Sequence, residues 1–339
     1  MKSVLRSSRS LLFLTGLLVP AAFFVLVFRF VPFREVFLYN WDEGLCLMRG
    51  LLHAQGHSLY KEIWMDQPPF LTLLLSGLFR VFGPSAFHAR VLVLVLVLST
   101  LLLWGLFQII RKSQNFLSAV LTVGLLVFSS HYLQLSVSVM IGLPAVALAV
   151  LSCYGLFLYQ TQRRNGYLWL SGCLMALALQ TKLFVVAFVP ALIYELVAIE
   201  GMRQDKERPA ARPLSAVLSW SIALSAVYLL LTFVVTSIDF TQIVQSHVIS
   251  RERSFAGFFQ EYAIVQKWIS EEYDIALLAL GGAAFFEKKQ EELFPRSSHD
   301  VPPGGRYLQY PCPRQVPSSV HGPVAPVLAG FFRSLCAFH

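Results

Sequence analysis

Two adjacent carboxylates, Asp42 and Glu43 in the stretch YNWDEGLCLMRG at 39–50, follow directly on a run of apolar residues. A carboxylate within hydrogen-bond reach of a hydroxyl can take its proton, and partial burial raises its basicity toward a useful value. The same pair would also mark the water-facing end of a helix. Other polar or charged residues stand next to apolar runs or in the segments between them: Arg49, Lys61, Asp66 and Gln67 in the same segment, Lys182, and His247 and Arg251 in QIVQSHVISRERSF. Asp66 and Gln67 precede Pro68 and Pro69, which fix an extended entry into the next helix, so Asp66 could cap a turn or take part in chemistry. Arg251 could grip a phosphate or sit near anionic headgroups. His53 and His57 have helical metal-ligand spacing, but Gly56 lies between them and no third ligand is evident. The five cysteines form no C-x-x-C pair and are odd in number, which indicates neither a zinc site nor a disulfide framework. A divalent cation could sit beside Glu43; the sequence asks for no other cofactor.

The elements that must position these residues are membrane helices. With 56% hydrophobic and only 14% charged residues, the chain falls well below the roughly 25% charge of soluble domains. The net charge of +8 gathers in short segments between apolar runs, as membrane topology requires, and gives no nucleic-acid reading. Residues 11–31 follow Lys2, Arg6 and Arg9 and exceed the roughly 7–15 residues of a signal-peptide core, so they read as a retained first span with its start in the cytoplasm. Residues 33–69 are then an outer loop. Later apolar runs at 88–110, 116–136, 143–159, 167–181, 183–199 and 214–236 keep Arg111, Lys112, Arg163, Arg164, Arg203, Lys206, Arg208 and Arg212 inside. Lys182 falls at an outer hairpin tip, and 237–273 forms a second outer loop before a weak apolar run at 274–286. The run 70–83 would reach only about 21 Å as a helix and carries Arg80, so it is expected to lie in the outer interface. The expectation is an all-α integral membrane protein, a polytopic helical bundle of about seven spans over residues 1–286. Eight of the 17 prolines fall in 287–339, which reads as an irregular tail; a native tail or a change of reading frame would each produce it.

The order and spacing of these residues resemble the bacterial membrane glycosyltransferases of the GT-C fold, the group that holds the lipid A aminoarabinose transferases and protein O-mannosyltransferases. The resemblance rests on Asp42-Glu43-Gly44, Arg49, LYKEIWMDQPP at 59–69, Phe82-Gly83, Arg90 and LALQTK at 177–182, and covers about residues 10–285. It implies an inverting glycosyltransferase of the cytoplasmic membrane with its active side outward. Such an enzyme moves a sugar from a polyprenyl-phosphate lipid to a glycolipid, polysaccharide or protein acceptor. Asp42 would be the base, Glu43 would orient the acceptor or help a cation bind, and Arg49, Lys61, Lys182 and Arg251 are the outer cations for the lipid phosphate. The chain departs from the pattern at Gln67, where many relatives carry Lys, and at 136–146, where many carry an acid. Relatives are also longer, so the resemblance implies C-terminal truncation, with homodimerisation as a way to cover surfaces left bare. The alternative is a non-catalytic truncated relative or a transporter-like protein. A transporter should place ionisable residues inside its spans or break its helices, whereas here the charges gather at the ends of the runs.

Overall fold

With no water to hydrogen-bond a main chain inside a bilayer, apolar runs must close their N–H and C=O groups within helices. A computed structural model of the chain describes residue 18 and residues 20–93, 96–201, 211–235 and 238–244. All of these belong to one compact unit; a second unit, 255–322, lies outside the described residues. Among the described residues the structure is helical throughout, with one isolated bridge between Leu59 and Ile63.

Helix α1, Pro20–Phe30, leads through a turn to α2, Trp41–Ala54, and α3, Phe70–Phe82. A helical turn at Ala86–His88 and a π turn at Ala89–Val93 precede α4, Leu96–Ser113. Then come α5, Phe116–Phe128; α6, Ser130–Val137; α7, Gly142–Gln162; and α8, Asn165–Leu179. A 3-10 turn at Leu183–Ala187 opens α9, Phe188–Gly201. Helix α10, Ala211–Leu229, ends in a π turn at Leu230–Val235, and a short α11 covers Phe240–Val244.

Four segments are long and apolar enough to cross a membrane: Ala86–Ser113, Gly142–Gln162, Leu183–Glu200 and Pro213–Phe233. The chain is thus an all-α polytopic membrane protein, with fewer full-length spans among its described residues than the seven expected. Two runs account for much of the difference. The run at 116–136 is a pair, α5 and α6, bent by 72°, and counts as a fifth span only if the pair crosses as one. Ser129 causes the break: its backbone is extended, and its hydroxyl accepts from the Tyr132 N–H and so starts a new helix. The run at 167–181 forms α8, whose 15 residues reach only about 22 Å.

Small residues set how closely the helices approach. A Cβ at Gly172 of α8 would lie 2.6 Å from the Trp220 carbonyl oxygen on α10, so only glycine permits this crossing. Beside it the Trp220 indole N–H donates to Ser171 Oγ at 3.0 Å, and Ser152 Oγ of α7 bonds the Ser171 carbonyl at 2.8 Å. A serine and a glycine on α8 therefore tie three helices together. At the other end of the chain, a Cβ at Gly50 of α2 would lie 2.6 Å from Leu75 Cβ of α3, which locks the amphipathic α2 onto α3.

Candidate functional site

Helix α2 begins where Asn40 caps it, its Oδ1 accepting from the Asp42 N–H at 3.1 Å, and two acids in the first turn complement the positive end of the helix dipole. One residue of register gives the two acids opposite environments. Asp42 points to the exposed side, while Glu43 shares the buried face with Cys46 and Gly50.

Glu43 and Arg90 are both fully buried and meet side on. Arg90 Nε donates to Glu43 Oε1 at 2.8 Å and its Nη2 to Oε2 at 2.8 Å. The remaining guanidinium donors go to the carbonyls of Phe33 (2.9 Å), Val36 (2.7 Å) and Phe37 (3.1 Å). All five N–H groups of Arg90 are thereby satisfied. Glu43 in turn accepts from the main-chain N–H of Tyr39 at 2.8 Å and of Val139 at 3.0 Å. The Tyr39 ring lies 4.5 Å from the guanidinium carbon, a cation–π contact that covers the pair. One ion pair thus joins the turn after α1, the start of α2, the π turn before α4 and the segment after α6. Both Glu43 oxygens are committed to this clamp, which differs from the acceptor or cation contact expected from the sequence.

Arg49, two turns along α2, forms an ion pair with Asp66 at 2.7 Å, and both side chains keep partial exposure. Asp66 is brought there by a built loop. Ser58 O accepts from the N–H groups of Glu62 and Ile63, Glu62 Oε2 accepts from the Ser58 N–H, and Tyr60 adopts a positive φ of 64°. The buried Tyr60 then anchors the return strand, its hydroxyl donating to the Gln67 carbonyl at 2.9 Å. Gln242 of α11 grips the same loop, donating to the Tyr60 carbonyl at 2.6 Å and accepting from the Met65 N–H at 3.1 Å. Lys61 is exposed at the tip of this turn, and Gln67 is partly buried beside Asp66.

Lys182 enters from the end of α8. The Phe70 N–H donates to the Gln180 carbonyl at 3.0 Å, and Gln180 Nε2 donates to Thr232 Oγ1 at 2.7 Å, so the loop's exit helix and the π turn hold this corner. Burial pushes the Lys182 ammonium below its ordinary range, against the opposing pull of Asp42, Cys46 and Asp66. Asp42 and Asp66 are thus the carboxylates that act on Lys182 through space. Burial likewise pushes the Cys46 thiol up to about 12, which keeps it a neutral packing group.

The structure therefore brings together Asp42, Arg49, Asp66 and Lys182, with Lys61 and Gln67 on the adjoining loop. His247 and Arg251 lie outside the described residues. His53 Nδ1 meets the His57 carbonyl at 2.9 Å, and among the described residues no three His, Cys, Asp or Glu side chains cluster as a metal site. Arg90 and the Val139 main chain, which the clamp requires, are joined to Glu43 across 47 and 96 residues; adjacency in sequence carried no sign of either.

Such an arrangement offers an exposed carboxylate beside a partly desolvated ammonium, with an arginine–aspartate pair at its edge. It can accept a proton and hold an anion at neighbouring points. Residues 66–228, just under half of the chain, match the family model described as dolichyl-phosphate-mannose-protein mannosyltransferase. No curated protein and no solved structure matches the chain. The family match supports a membrane glycosyltransferase of the GT-C type, and the matched stretch takes in Asp66, Gln67, Arg90 and Lys182 but begins after α2.

Proposed function

We propose that the chain transfers a sugar from a polyprenyl-phosphate lipid to a glycan, lipid or protein acceptor at the outer face of the cytoplasmic membrane, with Asp42 as the base. The observation that supports this reading is an exposed Asp42 in the first turn of α2, held there by the buried Glu43–Arg90 clamp and acting through space on the partly desolvated Lys182. Asp42 accepts the proton of the acceptor hydroxyl as its oxygen bonds to the anomeric carbon. The bond from that carbon to the phosphate oxygen breaks with its electron pair, and the lipid phosphate leaves from the opposite face. One displacement with one base inverts the anomeric centre.

The leaving phosphate needs positive charge in a site of low dielectric. Lys182 supplies it, and a bound phosphate offsets the desolvation that burial imposes on the ammonium. Arg49 supplies a second charge as it exchanges Asp66 for phosphate oxygens. Lys61 and Gln67 extend the surface toward the acceptor, and His247 and Arg251 are assigned to the donor on sequence grounds. Glu43 acts in this scheme through the clamp, by fixing the first turn of α2 so that Asp42 faces outward.

The test is sugar transfer by the purified chain in lipid, with a panel of radiolabelled polyprenyl-phosphate sugars and membrane-extract acceptors. Asp42→Asn should lower turnover by about 10²- to 10⁴-fold while leaving thermal unfolding unchanged. Full transfer by that variant would remove Asp42 as the base. No transfer by folded wild type would favour the non-catalytic relative.

A further inference from the structure

Glu195 lies within the membrane-crossing segment Leu183–Glu200, about one and a half turns from its Glu200 end. The residue is 7% exposed, and among the described residues neither carboxyl oxygen has a hydrogen-bond partner. Glu200, on the same helix, shows what this chain supplies when it buries a charged acid. There the Tyr159 hydroxyl donates at 3.0 Å and Arg163 Nη1 at 3.2 Å to the same oxygen. Glu195 receives neither a phenol nor a cation.

The groups packed around it explain why. Helix α9 packs on α7, on α10 and on the 3-10 turn before it. From α7 the titratable side chain within electrostatic reach is Cys153, a thiol. The 3-10 turn LFVVA has no titratable side chain, and α10 carries two, Arg212 at its start, whose side chain lies outside the described residues, and Tyr228; on α9 itself Tyr194 adjoins Glu195 in sequence. Tyr228 lies at the far end of α10, where its carbonyl accepts from Gln180. An ionised carboxylate with neither donor nor cation among the described residues costs several kcal/mol or more, whereas the neutral acid avoids that cost.

We propose that Glu195 is an intramembrane proton-binding site, separate from the outer site, that holds its carboxyl as the neutral acid and is open to modification by apolar carbodiimides. The chemistry is balanced without a redox partner. The carboxyl proton passes to a carbodiimide nitrogen, the carboxylate oxygen bonds to the central carbon, and acyl migration to nitrogen gives a stable N-acylurea. The proposal does not rest on the glycosyl-transfer reading, because Glu195 is on the other half of its helix from Lys182.

The experiment treats the full chain in sealed lipid vesicles with a fluorescent apolar carbodiimide and maps the label by mass spectrometry. Label should appear on the 188–201 peptide of the wild type and vanish in Glu195→Gln. Its yield should fall about tenfold for each pH unit above the acid's titration, since only the protonated fraction reacts. A water-soluble carbodiimide with an added amine should leave the peptide unmodified. Absence of apolar label from the wild-type peptide, or equal modification by the water-soluble reagent, would overturn the proposal. The wild-type mapping stands even if the variant fails to fold.

Discussion

Asp42 and Glu43 differ by one position and a full reversal of environment, and their variants should separate accordingly. Removing one partner of a buried ion pair strands the other, a loss of about 3–5 kcal/mol. Glu43→Ala and Arg90→Ala should each lower unfolding stability by that order, and the double variant Glu43→Met/Arg90→Met by much less than the sum. If Glu43→Ala left the unfolding curve in place and still abolished transfer, Glu43 would belong with the substrate rather than with Arg90. Lys182 carries a second, pH-dependent signature. Its folded-state pKa is depressed below the ordinary 10.5, so between the two values the folded chain holds fewer protons than the unfolded one. Stability should therefore rise as pH climbs through the folded value and level off above 10.5, and Lys182→Met should abolish that rise in pH-dependent unfolding. The sequence made the acids, Arg49, Asp66 and Lys182 legible as polar residues next to apolar runs. It could not show that Arg90 spends all five donors on the clamp, because that fact depends on main-chain carbonyls at 33, 36 and 37 meeting one guanidinium.

At the scale of elements, apolar runs announced helices near their observed places, while their breaks and lengths depended on local chemistry that hydropathy does not register. Ser129 bends one run because its hydroxyl caps a new helix, and that choice competes with simple continuation. Close approach is similarly invisible until the partner helix is present. Gly172 faces a carbonyl of α10 and Gly50 faces a side chain of α3, each at 2.6 Å from an added Cβ. A main-chain oxygen cannot rotate away, so Gly172→Ala should separate α8 from α10 and lower stability toward the upper part of the roughly 1–3 kcal/mol seen for overpacking. Leu75 must also shift its Cβ and with it α3, whose inner face of Leu71, Leu75, Leu78 and Phe79 is buried in the core. Gly50→Ala should therefore lower stability as well, and it should cost more transfer activity than Gly172→Ala, because α2 carries Asp42 and Arg49. Paired unfolding and transfer measurements on the two variants would show that split, and equal effects on both readouts would argue against α2 as the positioning element.

For the whole molecule, the sidedness of the site follows from where charges interrupt the apolar runs. If the N-terminal basic segment is inside, the loop carrying Lys61 is outside and the turn carrying Arg164 is inside, separated by the segments Ala86–Ser113, α5 with α6, and Gly142–Gln162. An odd number of crossings connects those two points only if the bent pair α5 and α6 spans the membrane. Counting the pair as re-entrant would leave two crossings and put Arg164 on the same side as Lys61. The bend thus decides the topology, and a paired thiol measurement reads it directly. In a background lacking the native cysteines, Lys61→Cys should react with an impermeant maleimide added to intact cells, and Arg164→Cys should react only after the membrane is opened. Reaction of both from outside would make the α5–α6 pair a re-entrant loop. If α8 then crosses, Lys182 would face the cytoplasm while Asp42 stayed outside, on the far side of the membrane from the Asp42 and Asp66 carboxylates that act on it through space. The short α8 makes the same demand from the other direction. Its far end reaches the loop that ends at Phe70, whose N–H donates to the Gln180 carbonyl, so if Arg164 is inside, the 15 residues of α8 and the corner at Lys182 must together bring the chain back across. If α8 crosses, a site that joins Asp42 and Asp66 to Lys182 requires the broken pair to cross as well.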